Sequence, residues 1–224
     1  MERSKKPSAI NAPSGGPQPQ VDISSDNSKV TASLPTGESV DVLLHGATII
    51  SWKSGKQENL WLSEKAVLDG SKAVRGGIPV VFPVFGPPPA NHATSKLPQH
   101  GFALTVTGLM GATYTDKVLN ATNHTETHAA LPITAETDRV YASIAQDTTS
   151  VLQDGKPRFD VVRDNLDDTV VWNPWREKAA AMGDFAPKDG WRNMLCVEVG
   201  SVNGWQKLEA GDTFEAGQVI KSLL

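Results

Sequence analysis

An all-β, antiparallel sandwich is the fold class that this 224-residue sequence predicts. Three observations carry it: short runs of alternating apolar and polar residues, turn residues in most of the intervals between them, and one segment only that reads as a helix. The βαβ alternation of a parallel sheet is missing, and no fixed-period repeat is present.

The elements follow in order. Residues 1–25 are rich in Pro, Ser, Gly and Gln with almost no large apolar side chain, so they read as a disordered tail ahead of one sandwich domain over 26–224. Val30, Ala32 and Leu34 alternate up to Pro35-Thr36-Gly37, and Val40, Val42 and Leu44 alternate down to His45-Gly46, which predicts a β-hairpin. Further strands are predicted at Thr48 to Trp52, Val80 to Phe85, Leu104 to Leu109, Val140 to Ile144, Arg158 to Arg163, Thr169 to Trp172, Met194 to Val199 and Thr213 to Leu223. The exception is Pro174 to Met182. It has Asn173 as a cap, Pro at a helix-start position, good helix formers and Gly183 near its end, so a single short helix is expected.

Composition narrows the function classes. Hydrophobic residues at 39% and charged residues at 21% give the chain enough apolar material for a core. A formal charge of -4, with no basic run beyond Arg3-Ser4-Lys5-Lys6, offers nothing to nucleic acid or an anionic membrane. Stretches such as Ile78 to Phe85 are far shorter than the ~20 residues of a bilayer span, and no apolar signal region opens the chain, so a cytoplasmic protein is expected. The single cysteine, Cys196, excludes an internal disulfide and a cysteine-based zinc site.

Three stretches carry candidate chemistry. In Val74-Arg75-Gly76-Gly77-Ile78-Pro79, the glycines let backbone approach a ligand and Arg75 offers a planar fork for phosphate or carboxylate; a surface Arg before a turn is an equal reading. In Leu97-Pro98-Gln99-His100-Gly101-Phe102, Gln99 and His100 supply donors and acceptors suited to sugar hydroxyls, although a lone His is more often structural. His92, His124 and His128 read as solvated loop residues. In Met194-Leu195-Cys196-Val197-Glu198-Val199-Gly200, a carboxylate sits in an apolar strand on the face it shares with Cys196. Burial there would raise its pKa towards a general-base range, whereas a solvent-facing Glu198 would be ordinary.

With Glu136-Thr137-Asp138-Arg139-Val140-Tyr141 and Val171-Trp172-Asn173-Pro174-Trp175 between the second and third stretches, and residues 211–218 after them, the sequence from Val30 onward resembles the hexose-6-phosphate mutarotases. These form the glucose-6-phosphate 1-epimerase branch of the aldose 1-epimerase family. The resemblance implies the galactose mutarotase-like supersandwich fold and acid/base interconversion of α- and β-hexose 6-phosphates without metal or cofactor. It implies that Arg75 binds the phosphate, that Gln99 and His100 contact the ring, that Asp138 binds hydroxyls and that Glu198 is the general base. A monomer with a hexose 6-phosphate substrate is expected. In relatives, the stretch ending at Ala103 continues through a second phosphate-binding Arg, several central strands and a catalytic acid His before the strand resembling Leu104 to Leu109. Here Ala103 is joined directly to Leu104.

Overall fold

The computed structural model describes residues 15–80 and 105–223. The chain divides into two compact units, where the sequence reading treats 26–224 as one domain. The first unit comprises residues 15–80 with 175–195; the second comprises 105–174 with 196–223.

In the first unit, β1 (Gln20–Ile23), β2 (Lys29–Ser33), β3 (Ser39–Leu43), β4 (Thr48–Ser54) and β5 (Gln57–Glu58) form an antiparallel meander in sequence order. The predicted hairpin is β2 and β3, with Val30 opposite Val42 and Gly37 turning at φ 102°. Cross-strand pairs reinforce it: Asp41 accepts from Lys29 Nζ at 2.8 Å and from Thr31 Oγ1 at 2.7 Å. Strand β1 corrects the expected tail limit. It pairs with β2 from Gln20 onward, because Val21 and Ile23 alternate with polar residues and a Ser24–Ser28 turn folds them back. Helix α1 (Trp175–Ala181) matches the predicted helix within a residue at each end.

The second unit holds ten strands: β6 (Thr105–Thr107), β7 (Thr113–Asp116), β8 (Ala121–Thr125), β9 (Ala130–Pro132), β10 (Thr137–Ala142), β11 (Thr148–Gln153), β12 (Lys156–Asp164), β13 (Asp168–Asn173), β14 (Cys196–Gly200) and β15 (Gly217–Ser222). They build two five-stranded antiparallel sheets, in the orders β14-β13-β10-β7-β8 and β15-β12-β11-β6-β9. Register aligns Val151 with Val106 and Val106 with Leu131, and all three are buried, giving one apolar row on the second sheet. The facing row of the first sheet carries Tyr141, Thr169 and Val171, all fully buried. Between the sheets, the buried Arg163 guanidinium donates to Thr149 at 3.0 Å and to Thr169 at 2.5 Å, so a charge inside the sandwich is hydrogen-bonded to both sheets. No helix among the described residues is long and apolar enough to cross a membrane. The predicted strand after Val80 and the stretch containing Gln99, His100 and the Ala103/Leu104 joint lie outside the described residues.

Candidate active site

The site is built by register. In the first sheet of the second unit, Asp138 lies opposite Trp172 and Trp172 opposite Cys196; one step along, Val170 lies opposite both Val140 and Glu198. Because side chains alternate along a strand, Asp138, Val140, Val170, Trp172, Cys196 and Glu198 share one sheet face. That is the face opposite Tyr141 and Val171. The same rows bring Lys117 beside Asp138, since Arg139 pairs with Asp116 and the Lys117 N–H donates to the Asp138 carbonyl at 2.8 Å.

Glu198 is half-buried, next to the buried Cys196, Val170 and Trp172. Burial pushes its carboxyl up to about 7; a hydrogen bond from the Cys196 thiol opposes the rise, the Asp138 charge adds to it, and the Lys117 charge opposes it. A carboxyl placed there is divided between acid and base forms at neutral pH, which is where a proton-transferring group works best. Asp168, also on this face at its far end, is buried and accepts backbone N–H groups of Ser143 at 3.1 Å and of Val202 and Asn203 at 2.7 Å, tying down the chain that leaves the Glu198 strand.

The opposite face of the same strands holds a second polar cluster that the sequence reading did not anticipate. Glu126, 2% exposed, accepts from Tyr141 Oη at 2.6 Å, Arg139 Nη1 at 3.0 Å, the His128 N–H at 3.0 Å and His128 Nδ1 at 2.7 Å. Burial raises the Glu126 carboxyl, but these donors and the Arg139 charge together hold it below its usual range. His124 is therefore not a loop residue, whereas His128 stands in an exposed loop as expected and additionally pairs with the buried Glu126 carboxylate. His124 belongs to β8 and stacks on Tyr114 at 5.2 Å. Among the described residues no cluster of His, Cys, Asp or Glu could hold a metal.

In the first unit, Arg75 pairs with Asp184 at 3.1 Å with both side chains largely buried. Burial raises the Asp184 carboxyl, but the hydrogen bond and charge of Arg75 outweigh it and hold it below the usual range. The two glycines after Arg75 serve the chain itself. At φ 117° and 74°, Gly76 and Gly77 lie so close to neighbouring backbone that a Cβ would stand 2.4 Å from the carbonyl oxygens of Trp61 and Ile49 respectively. Ser63 completes this knot, donating to the Asp184 carbonyl at 2.7 Å and accepting from the Ala186 N–H at 2.9 Å, beside stacked Trp61 and Phe185.

Thus the structure brings Asp138 and Glu198 onto one sheet face and places Arg75 in the other unit; Gln99 and His100 fall outside the described residues. Lys117, Asp184 and the Glu126 cluster were missed by sequence reasoning. Lys117 and Asp184 needed register or long-range contacts, while Glu126 carried no local signal beyond a charge in a polar stretch.

A family model, aldose 1-epimerase, matches residues 28–107 and 103–221. The chain belongs to the aldose 1-epimerase family. Its two matched pieces meet at 103–107, where Ala103 runs directly into Leu104. The "putative glucose-6-phosphate 1-epimerase" of Cenchrus ciliaris is 27% identical over 256 residues, covering 77% of this chain and 78% of that protein. A protein of the same description from Escherichia coli is 26% identical, covering 80% of this chain and 85% of that protein. Among solved structures, a putative mutarotase (YeaD) from Salmonella typhimurium superposes with a TM-score of 0.63 at 22% identity, covering 83% of this chain and 90% of that one. HI1317 gives a TM-score of 0.66 at 19% identity, covering 91% of this chain and 100% of that one. The structural likenesses place the fold among mutarotase-like all-β sandwiches. Membership of the aldose 1-epimerase family supports an epimerase or mutarotase that interconverts sugar anomers.

Proposed function

We propose that the chain interconverts the α and β anomers of glucose 6-phosphate and related hexose 6-phosphates, with Glu198 as general base. The observation that carries this reading is the Glu198 carboxyl, set in an apolar strand and raised to about 7 on the face it shares with Asp138. Ionised, Glu198 takes the proton from the anomeric hydroxyl. The electrons left on that oxygen form the C1 carbonyl, the bond from C1 to the ring oxygen breaks, and the ring oxygen takes a proton. Rotation about the bond from C1 to C2 and reversal of the same steps close the ring on the other face, returning both protons. Asp138 accepts hydrogen bonds from sugar hydroxyls in this reading. Arg75 binds the phosphate, and Gln99 and His100 contact the ring, as the resemblance implies.

The ring-oxygen proton comes from water or from His100, because the segment that carries the acid His in relatives would enter at Ala103/Leu104. A positioned general acid contributes roughly 10²–10⁴-fold, so turnover is expected to lie that far below a complete family member. The two-piece family match favours one other reading, a sugar-phosphate binder with almost no turnover. Saturation-transfer NMR on the two anomers of glucose 6-phosphate decides. Exchange above the buffer rate that disappears in Glu198→Gln is the expected result. Binding with exchange at the buffer rate selects the binder, and exchange that survives Glu198→Gln removes Glu198 from the base role.

A further inference from the structure

The charged residues in the rows around Glu198 are acidic except at one position. On this sheet face Asp138 stands on β10, two strands from Glu198, and Asp168 stands at the far end of the adjacent β13, with Cys196 on the Glu198 strand itself; the basic residue of these rows is Lys117, just past β7. A phosphate monoester carries about -1.5 to -2 charge at neutral pH, so a substrate bearing one meets repulsion from these carboxylates unless a cation receives it.

Register fixes where that cation stands. Lys117, Asp138, Trp172 and Cys196 form one row across four strands, and at about 4.8 Å per strand Lys117 lies roughly 14 Å from the Cys196 backbone. Its neighbour Asp116 turns to the other face, where it accepts from Arg139 Nε at 3.3 Å, which leaves Lys117 on the Glu198 face. Lys117 is exposed, yet its charge is felt at Glu198. A lysine stem rooted in this row is long enough to bring a positive charge towards a ligand that lies over the face between Lys117 and Glu198.

We propose that Lys117 is a substrate-binding residue whose ammonium receives the phosphate of a hexose 6-phosphate while the anomeric end of the sugar lies at Glu198. This rests on the activity proposed above and adds to it a residue and the chemical class of ligand that this residue selects. It predicts discrimination by charge: Lys117 matters for the phosphorylated sugar and is silent towards the free one.

The test measures binding of glucose 6-phosphate and of glucose to the full chain by ligand-observed NMR, for the parent, Lys117→Met and Lys117→Arg, with thermal melts confirming that each variant folds. Lys117→Met is expected to weaken glucose 6-phosphate by about tenfold or more and leave glucose unchanged, while Lys117→Arg stays close to the parent. Glucose 6-phosphate affinity that is unchanged in Lys117→Met, or glucose affinity that falls equally, overturns the proposal. The activity reading fails separately: a parent that binds glucose 6-phosphate through Lys117 yet does not exchange its anomers keeps the contact and loses the reaction. A parent that exchanges anomers with no dependence on Lys117 keeps the reaction and loses the contact. A parent that binds no glucose 6-phosphate removes both.

Discussion

Glu198→Gln isolates the energetic consequence of holding a carboxyl at about 7 inside a strand. In the unfolded chain the group titrates near its ordinary 4.5, and in the folded chain near 7. The sign follows from linkage: below pH 4.5 the group is protonated in both states and costs nothing. As pH rises towards 7, the unfolded chain loses its proton first and gains stability relative to the fold. Above 7 both states are ionised and the full penalty stands. At about 1.4 kcal/mol per pH unit, the interval from 4.5 to about 7 amounts to roughly 3 kcal/mol. Gln, of the same shape and unable to ionise, does not carry this penalty. Urea unfolding followed by circular dichroism is expected to give parent and variant the same midpoint near pH 4.5. The variant becomes progressively more resistant up to pH 7 and holds its lead to pH 8. With a urea slope of about 2–3 kcal/mol per molar, the lead is about 1–1.5 M in midpoint. A difference that is constant with pH, or that favours the parent at pH 8, would refute the reasoning, because it would mean that the Glu198 carboxyl is not desolvated.

Tyr141→Phe removes a donor from the buried Glu126 carboxylate and is expected to cost about 1.5–3 kcal/mol at pH 7, read by the same unfolding assay. Because the folded Glu126 is held below its ordinary value, its contribution is present above about pH 4.5 and lost as pH falls through the folded value, so the variant is expected to lose less stability than the parent on acidification. Gly77→Ala places a Cβ against the Ile49 carbonyl oxygen at a φ of 74° and is expected to destabilise by about 2 kcal/mol or more, seen as a drop in melting temperature. Arg75→Ala leaves Asp184 without its cation. Asp184 is then expected to titrate higher by NMR, and glucose 6-phosphate binding by calorimetry is expected to fall.

What was legible in the sequence was whatever depends on near neighbours along the chain. Alternation gave the β2–β3 hairpin, β12, β13 and β14 within a few residues, and the helix start at Asn173-Pro174 is local chemistry. Strand β8 carries Ala121, Asn123 and His124, with no large apolar residue to show alternation, so it passed for a loop. Strand β11 escaped for a different reason. The signal was there, in Asp154-Gly155 between two strands, and both residues take the positive φ of a tight hairpin turn. The Gly76-Gly77 pair shows the limit of local reading: its glycines are required by the carbonyls of Trp61 and Ile49, contacts that no spacing rule announces.

Two desolvated carboxylates of the second unit, Glu198 and Glu126, show how one sheet sets opposite proton affinities. Glu198 and Glu126 both lose water on folding, so desolvation is the largest influence on each and raises both. Their neighbours decide the outcome. Glu126 meets two donors from β10, Arg139 and Tyr141, and two more from His128, which replace the lost water and favour the anion. Glu198, on the other face of the sheet, shares that face with the β10 residue just before those two, Asp138, and with the apolar Val170 and Trp172, and it accepts from the weak thiol donor of Cys196. Strand β10 therefore acts in both directions at once. Its odd-numbered residues fix one carboxylate as a permanent anion in the fold, and its even-numbered Asp138 keeps the other near the point where a proton can come and go. A one-residue slip of β10 would exchange the two environments, so the register that secures the fold also sets the proton affinity on which the proposed chemistry depends.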